Sequence, residues 1–357
     1  MKAKNLNELF ERAEIFFQGI GAKDRLAVVH DSDPDGVCSA AILIRSMKKF
    51  GIKPSKIVAS SPELAKKKGI LAKGCNKIVI LDLAPHLYER DLKKAKNSKI
   101  DVLIFDHHLA ANIGAKNIFY VNPRLFDETL YMPTSYLVLK YYERCMDVKS
   151  MEWVATIGTV ADYGLKSETQ DLLRKYLNDS DYKNVWKSEF GKAAITLNAA
   201  TAIVGAEKSL KIFLKLKSFD EFRKISAFVN AAERFETELA KKEKEVRKKI
   251  EFYPENALMI SYVQTKFKHV ASAISSKISR EKPDWTFILF EKKNGEYKLH
   301  GRSQNGRVSI GHLFTKLGVG GGHVQAGGGA IKLGKLWEFQ KKLMKEIKTY
   351  RPKEKAK

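Results

Sequence analysis

The chain has 357 residues, of which 44% are hydrophobic, and it carries 65 lysines and arginines against 41 acidic residues. This length predicts two domains of ordinary size, each able to bury its own core. The formal net charge of +24 favours a polyanionic partner, because clustered cations displace counterions from phosphates. A lysine-rich cytosol or a thermophilic origin also raises the charge, so the charge alone leaves the partner open.

The sequence pattern excludes two classes of protein. No run approaches the ~20 consecutive apolar residues of a membrane span, so no membrane partner is expected. The first residues are too charged and amphipathic for a secretory signal. Three cysteines without a CxxC spacing are interpreted as packing thiols in a reducing compartment. We therefore expect a cytoplasmic protein.

The first part of the chain alternates buried strands with helices. An amphipathic helix over about residues 5–20 comes first, and a helix over 37–49 follows the first strand. The predicted strands are at 25–30, 56–59, 77–82 and 101–106. Continuous apolar runs separated by helices predict a parallel sheet covered on both faces. In such sheets, ligands bind at the carboxyl ends of the strands.

Helices and then a second set of strands follow. Helices are predicted over 133–146, with Thr134 or Ser135 as a cap, and over 151–163. Residues 193–250 are helical in character and end in a charge-rich segment that suits a solvated connector. Strands are then predicted at 257–263, 285–290 and 297–303, before a glycine cluster at 318–329. The pattern indicates a second, smaller α/β domain.

Three aspartates, Asp31, Asp33 and Asp35, stand at alternate positions after the first predicted strand, in the sequence DSDPDG. Carboxylates this close repel one another unless a cation neutralises them, so the segment indicates a metal site. An aspartate-rich surface turn, with Gly36 supplying backbone freedom, is the alternative. A calcium loop also uses alternate aspartates, but the distal glutamate and spacing of an EF-hand are missing.

Further candidate ligands follow later elements. Asp82 ends the third predicted strand, Asp106, His107 and His108 end the fourth, and Asp162 ends an apolar helix. Oxygen ligands with an imidazole suit manganese or magnesium better than an all-sulfur zinc site. Each group alone is unremarkable. The prediction rests on the convergence of the strand-end groups at one edge of the sheet.

The order of these motifs resembles the signature of the DHH phosphoesterase family. The resemblance rests on DSDPDG at 31–36, the strand ending in Asp82, the Asp106-His107-His108 triplet and Asp162. The segment GGGHVQAGG at 320–328 resembles the DHH-associated C-terminal domain. Together these resemblances cover about residues 20–335. They imply an α/β protein in which a parallel-sheet DHH phosphoesterase domain is joined by a helical connector to a smaller α/β DHH-associated domain.

Within the family, the aspartate-first motif resembles the RecJ-like and nanoRNase-like branches more than the pyrophosphatase branch. The pyrophosphatases carry a ligand histidine four residues before the first aspartate of their DxD pair, and here that position is Val29. Asp31 is expected to take its place, and His30 is not expected to be a ligand.

The resemblance implies two divalent ions, with manganese preferred and magnesium as the alternative. The implied assignment is Asp31 and Asp33 on one ion, Asp35, His107 and Asp162 on the other, and Asp82 as the bridge. Asp106 either ligates an ion or orients a ligand. His108 is expected to contact the scissile phosphate. Catalysis is thereby assigned to Asp82, His107 and His108, with a metal-activated water as the nucleophile.

The second domain is expected to bind the substrate. Gly320, Gly321 and Gly322 would let backbone amides approach a phosphate, and His323 could donate to it. Arg302 and Ser303 look like the phosphate-contacting pair of the family, since a guanidinium fork suits phosphate. A glycine-rich turn and a structural arginine are the alternatives. The family often has Ala-Ala-Gly where this chain has AGG at 326–328.

The predicted division of the chain is a catalytic metal-binding domain at 1–190, a helical connector at 191–255, a substrate-binding domain at 256–345 and a basic tail at 346–357. The predicted function is hydrolysis of single-stranded DNA or RNA, or of short oligonucleotides, by a metal-dependent phosphodiesterase or exonuclease. A hydrolase of cyclic dinucleotides or small phosphoesters and a non-catalytic scaffold of replication or RNA processing are the alternatives. Pyrophosphatase activity is disfavoured by Val29.

Overall fold

The computed structural model describes residues 4–110 and 113–350. Its internal contacts divide the chain into two compact units, Met1–Ala232 and Glu233–Lys357. Both units combine helices with a sheet, which confirms the predicted α/β class. The end of the predicted basic tail, beyond residue 350, lies outside the described residues. None of the helices in the described ranges has the length and apolar character that crossing a lipid bilayer requires.

The first unit is built on a five-stranded parallel sheet in the order β2-β1-β3-β4-β5. Its strands are β1 (Leu26–Asp31), β2 (Lys56–Ser60), β3 (Lys77–Leu81), β4 (Asp101–Phe105) and β5 (Ile118–Val121). The predicted parallel sheet is confirmed. Strand β5 was not predicted, because a four-residue apolar run carries no periodicity that separates a strand from a buried loop.

Helices cover both faces of this sheet. They are α1 (Leu6–Gln18), α2 (Pro34–Lys49), α3 (Pro62–Lys68), α4 (Glu89–Lys96), α5 (Thr134–Glu143), α6 (Lys149–Ala161), α7 (Gln170–Leu173), α8 (Asp179–Lys183), α9 (Glu189–Ala200), α10 (Ala206–Phe213) and α11 (Phe219–Arg223). Strand residues alternate between two cores: Val79 and Leu81 face the core that includes α2, α5 and α6, and Ile78 and Ile80 face the core on the side of α3 and α4.

Residues after 190 extend the first unit. Helices α9 and α10 contribute Leu197, Leu210 and Phe213 to the core that α2 and α6 line. The helix α12 (Ser226–Lys248) follows and crosses the division between the two compact units. The boundaries of the predicted connector stay a prediction.

The second unit contains a mixed six-stranded sheet in the order β10-β11-β9-β8-β7-β6. Its strands are β6 (Glu251–Tyr253), β7 (Leu258–Val263), β8 (Thr286–Lys293), β9 (Glu296–Ser303), β10 (Gly320–Gly322) and β11 (Ala326–Lys332), and its helices after α12 are α13 (Val270–Glu281), α14 (Ile310–Lys316) and α15 (Leu336–Ile347). The glycine cluster therefore forms two paired strands, β10 and β11.

Candidate metal centre and substrate-binding residues

The strand register aligns three aspartates at the carboxyl edge of the first sheet. His30 of β1 pairs with Leu81 of β3, and Leu81 pairs with Phe105 of β4. The next residue of each strand is an aspartate: Asp31, Asp82 and Asp106. These side chains belong to three neighbouring strands, so the sheet itself brings them to one edge.

The helix that follows β1 begins earlier than its predicted bounds of 37–49. Asp31 is the last residue of β1, and α2 begins at Pro34, three residues earlier than predicted. Asp33 is the N-cap of α2 and accepts a hydrogen bond from Gly36 N at 2.8 Å. A Cβ on Gly36 would lie 2.4 Å from Asp31 O, so glycine permits this close approach of helix and strand. Helix capping and proline at the first helical position explain the earlier start.

Asp35 is fully buried in the first turn of α2 and is held by α5. Its carboxylate accepts hydrogen bonds from Thr134 N at 2.7 Å, from Ser135 N at 3.1 Å and from the Ser135 hydroxyl. The cap of α5 was predicted to be Thr134 or Ser135, and this was wrong: Pro133 is the N-cap. Both hydroxyls are instead directed at aspartates, since Thr134 Oγ1 donates to Asp82 Oδ1 at 3.0 Å.

His107 lies between two carboxylates. Its Nε2 is 3.3 Å from Asp82 Oδ1 and 3.3 Å from Asp162 Oδ2. Asp162 is the C-cap of α6, and Tyr131 donates a hydrogen bond to its carboxylate at 2.7 Å. Asp82 adopts a left-handed backbone conformation with φ of 62°, which redirects the chain directly after β3. The three side chains thus converge from three different elements.

Asp106 and His108 form a separate pair at the same edge. His108 Nδ1 is 2.7 Å from Asp106 Oδ1. The other oxygen of Asp106 accepts hydrogen bonds from Tyr120 at 3.2 Å and Asn122 at 3.4 Å. Asp106 is fully buried, whereas about a third of the His108 side chain is exposed. This arrangement fits the orienting role considered for Asp106 and leaves His108 facing solvent.

Burial and mutual repulsion set the pKa values of the carboxylates. Burial, followed by the charge of Asp33, raises the pKa of Asp35 to about 7. Burial and neighbouring carboxylates also raise the pKa values of Asp31, Asp82 and Asp162 well above the usual range. Carboxylates with raised pKa values are stabilised by added positive charge, and a bound cation supplies it.

The pKa values of His108 and His30 are shifted in opposite directions. Burial would lower the pKa of His108, but the Asp106 carboxylate overcomes this and raises it to about 9. Burial would raise the pKa of Asp106, but the charge and hydrogen bond of His108 overcome this and lower it to about 2. His30 is fully buried, and burial lowers its pKa to about 4. Its Nδ1 contacts Asp31 O at 2.7 Å, so the ring packs behind Asp31.

Among the described residues, two sets of side chains have ligand atoms within 4.8 Å of one another. They are Asp82 with His107 and His108, and Asp35 with His107 and Asp162. The second set coincides with the ligands assigned to one ion. Asp31 and Asp33 do not join either set, and Asp33 is engaged as a helix cap. Oxygen donors with one or two imidazoles fit a divalent ion such as manganese or magnesium.

The second unit places Arg302 on β9 against α13. Its guanidinium donates to Ser276 Oγ at 3.0 Å, Ser272 Oγ at 2.8 Å and Gly301 O at 2.8 Å. His300, two residues earlier on the same face of the strand, is 3.1 Å from the buried carboxylate of Glu291. His300 was not predicted. The sequence signal that could have pointed to His300 is its position two residues before Arg302, because residues at this spacing share one face of a strand.

The remaining predicted substrate-binding residues fall into an exposed and a buried group. His323 and the short strand β10 lie at the surface, and there is open space above Gly321 apart from the Thr315 hydroxyl at 3.5 Å. Ser303 is 1% exposed, and its hydroxyl accepts a hydrogen bond from Val308 N within the following loop. The structure therefore does not present Ser303 to a ligand, because the alternation of β9 directs it into the core.

The residues that support the carboxylates were not predicted as site residues. They are Tyr120, Asn122, Tyr131, Thr134, Ser135 and Gly158. Gly158 of α6 lies so close to α5 that an added Cβ would be 2.4 Å from Ser135 Oγ and 2.8 Å from Asp35 Oδ1. Only the polar composition of the segment 120–135 could have pointed to the first five of these residues, and Gly158, in the apolar helix α6, carries no such signal.

Family comparison assigns both parts of the chain. The model of the DHH family N-terminal domain matches residues 25–161, and the DHHA1 domain model matches residues 255–349. A search of curated proteins found no match.

Solved structures share the fold at low sequence identity. RecJ from Thermus thermophilus, in complex with Mn²⁺, is 18% identical with a TM-score of 0.73, over 99% of this chain and 56% of that one. The chain thus spans little more than half of that RecJ. Exonuclease RecJ bound to manganese is 18% identical with a TM-score of 0.69, over 96% and 95% of the two chains.

A phosphodiesterase of similar length shares the fold as well. The pGpG-specific phosphodiesterase PggH from Vibrio cholerae is 16% identical with a TM-score of 0.53, over 92% of this chain and all of that one. At these identities the likeness shows the fold alone. The ordered family domains, together with this fold, show that the chain belongs to the DHH family, with an N-terminal DHH domain followed by a DHHA1 domain.

Proposed function

We propose that the chain is a metal-dependent phosphodiesterase that hydrolyses single-stranded nucleic acid or short oligonucleotides. The observation that carries the proposal is the convergence on His107: ligand atoms of Asp35, His107 and Asp162 lie within 4.8 Å of one another, and Asp82 Oδ1 is 3.3 Å from His107 Nε2. Phosphoesterases commonly use such oxygen-rich sites to hold two divalent ions.

The residues present fit divalent ions. Buried carboxylates with raised pKa values favour a bound cation, and the donor atoms are the oxygens and imidazole nitrogens that manganese and magnesium accept. The proposed holders are Asp35, His107 and Asp162 for one ion, Asp31 and Asp33 for the other, and Asp82 for both. The RecJ structures that share this fold contain Mn²⁺ or Mg²⁺, which supports the choice of metal. Manganese is preferred in this proposal.

Bound divalent ions lower the pKa of a coordinated water and neutralise phosphate oxygens, so no protein nucleophile is required. The chain's own groups position the substrate. His108, positively charged because Asp106 raises its pKa to about 9, presents its exposed edge to a phosphate oxygen. Tyr131, Thr134 and Ser135 fix the carboxylates by donating hydrogen bonds to them.

The second unit is proposed to bind the nucleic acid through Arg302, His323 and the amides of β10. The high positive charge of the chain supports a polyanionic substrate. The aspartate-first motif, which resembles that of RecJ-like single-strand exonucleases, favours single strands. Similarity to a pGpG-specific phosphodiesterase favours a second candidate, a hydrolase of dinucleotides. A cytoplasmic location belongs to the same proposal and rests on the sequence pattern.

Hydrolysis of end-labelled DNA and RNA single strands of ~3 to ~30 nucleotides, with manganese or with a chelator, tests the proposal. Manganese-dependent laddering of the long strands is the expected result, and the ladder reports the sugar preference and polarity. Cleavage limited to the shortest substrates would support the dinucleotide hydrolase. Binding without cleavage, unchanged in Asp82→Ala, would identify a scaffold and contradict the proposal.

A further inference from the structure

Arg124 lies in the loop after β5, beside the metal centre. Its Nε donates a hydrogen bond to Leu130 O at 2.9 Å, and its Cζ is 5.7 Å from the ring centroid of Tyr131. The side chain is half-buried. These two contacts fix the guanidinium group, while Nη1 and Nη2 have no hydrogen-bond or ion-pair partner within residues 4–110 and 113–350. The two outer nitrogens can therefore donate to a ligand.

Tyr131 connects this guanidinium to the metal centre. Its hydroxyl donates to the carboxylate of Asp162, and its ring stands edge-on to the ring of His107 with centroids 5.1 Å apart. A single aromatic ring thus separates Arg124 from two proposed metal ligands. Arg124 is thus close enough to the proposed ligands to contact a phosphate that adjoins the one being cleaved.

The outer nitrogens of Arg124, unlike those of a second arginine with a similar ring contact, form no ion pair with a described residue. The Tyr131 ring that Arg124 contacts is hydrogen-bonded through its hydroxyl to the carboxylate of Asp162, yet none of the described carboxylates forms an ion pair with Arg124. Arg144 offers a comparison: its Cζ is 5.6 Å from the ring centroid of Phe10, but its Nη1 is also 3.0 Å from Glu14. Arg144 therefore has a structural ion pair, and Arg124 has the same kind of ring contact without one. A fixed guanidinium with two available donors suits the oxygens of a phosphate.

We propose that Arg124 binds a phosphodiester group of the substrate that adjoins the scissile phosphate. The inference rests on the proposed function and adds a positively charged contact on the first unit, separate from Arg302 on the second. Arg124 acts on substrate position and takes no part in proton transfer.

The test compares wild type, Arg124→Gln and Arg124→Lys in manganese-dependent cleavage of a short single strand. Arg144→Gln is the matched control, because it removes an arginine with the same ring contact at the far end of α5, about 15 Å from Thr134. Each protein is assayed on the native strand and on strands in which one phosphate at a time is replaced by an uncharged methylphosphonate. Thermal unfolding and manganese affinity are measured for each variant.

Arg124→Gln is expected to slow kcat/KM by about 10- to about 100-fold, the effect of one charged hydrogen-bonded contact, with manganese affinity unchanged. Wild type and Arg144→Gln should be slowed by methylphosphonate at one position beside the cleaved bond. The cleavage rate of Arg124→Gln should be the same on the native strand and on the strand with methylphosphonate at that position. Arg124→Lys should recover part of the rate, because it keeps the charge without the fork.

Two results would overturn the inference while leaving the proposed function intact: cleavage of the native strand by Arg124→Gln at the wild-type rate, or undiminished sensitivity of this variant to methylphosphonate at every position. If Arg124→Gln fails to fold, Arg124→Lys carries the same comparison. Absence of cleavage by the wild-type protein would instead reject the proposed function itself.

Discussion

The two units present polar groups to a ligand in opposite ways. In the first unit, Asp35, Asp82 and Asp106 are almost completely buried, and backbone or side-chain donors hold each carboxylate. In the second unit, His323 and the strand β10 lie at the surface. Burying several like charges is unfavourable unless a cation neutralises them, whereas surface groups cost little without a ligand.

The two units should therefore respond to different variables. The stability and activity of the first unit should depend on divalent metal and pH, because carboxylates with raised pKa values have to release protons to bind a metal. Binding by the second unit should depend mainly on salt, because the phosphate contacts proposed for this unit would release counterions.

The largest expected effect is that of Asp82→Asn. Loss of a ligand shared by both proposed ions should remove several kcal/mol of transition-state stabilisation, which lowers kcat by about 10³-fold or more. Steady-state cleavage of a labelled strand measures this effect. Asp101→Asn is the matched control, since Asp101 lies at the opposite end of β4 and pairs with Lys77. An Asp82→Asn variant with near-wild-type kcat would contradict the metal-centre account.

The second prediction concerns pH and metal. Burial raises the folded-state pKa of Asp35 from its ordinary value of 3.8 to about 7. Protonated Asp35 therefore stabilises the metal-free fold at low pH, and this contribution to the free energy of unfolding is lost as the pH rises through about 7. Manganese competes with the protons and should therefore raise the unfolding temperature more at pH 8 than at pH 6. A manganese concentration of about 1,000 times Kd should add about 4 kcal/mol to the free energy of unfolding.

Thermal unfolding with manganese or with a chelator at both pH values measures this difference. A shift that is equal at the two pH values, or larger at the lower one, would show that the buried carboxylates do not bind the metal.

The third prediction is that Gly158→Ala weakens the centre without touching a ligand. The added methyl group would displace Ser135 from Asp35 and should cost about 1–3 kcal/mol in the free energy of unfolding. Disturbance of a ligand's support should also lower metal affinity or activity about 10- to 100-fold. Gly334→Ala is the control, because a Cβ there meets no atom within 4 Å. Equal behaviour of the two variants would refute this role for Gly158.

The smallest expected effect belongs to the second unit. Arg302→Ala should weaken binding of a single strand about tenfold, which is the effect of losing one charged contact. The slope of log K against log salt concentration should become shallower by about 1, because one phosphate contact is lost. Fluorescence anisotropy at several salt concentrations measures both quantities. Ser303→Ala is a useful comparison, since that hydroxyl is buried and should change stability more than binding. An unchanged salt slope in Arg302→Ala would remove Arg302 from the proposed interface.

The sequence predicted those features that depend on local pattern. Apolar runs located the four strands whose order brings Asp31, Asp82 and Asp106 to one edge, and family motifs pointed to His107 and Asp162. The support of Asp35 by Thr134 and Ser135 was not predictable in this way, because those contacts join residues about 100 positions apart and depend on how α5 packs on α2. The burial of Ser303 depends on strand alternation that a motif does not encode.

The most direct test of the central claim is a calorimetric titration of the metal-free protein with Mn²⁺ at about pH 8, carried out on wild type and on Asp82→Asn. The account predicts that wild type binds two ions per chain and releases protons as the buried carboxylates ionise, and that Asp82→Asn loses most of this affinity. Undetectable binding, or binding that Asp82→Asn leaves unchanged, would contradict the claim that these carboxylates form a divalent metal centre.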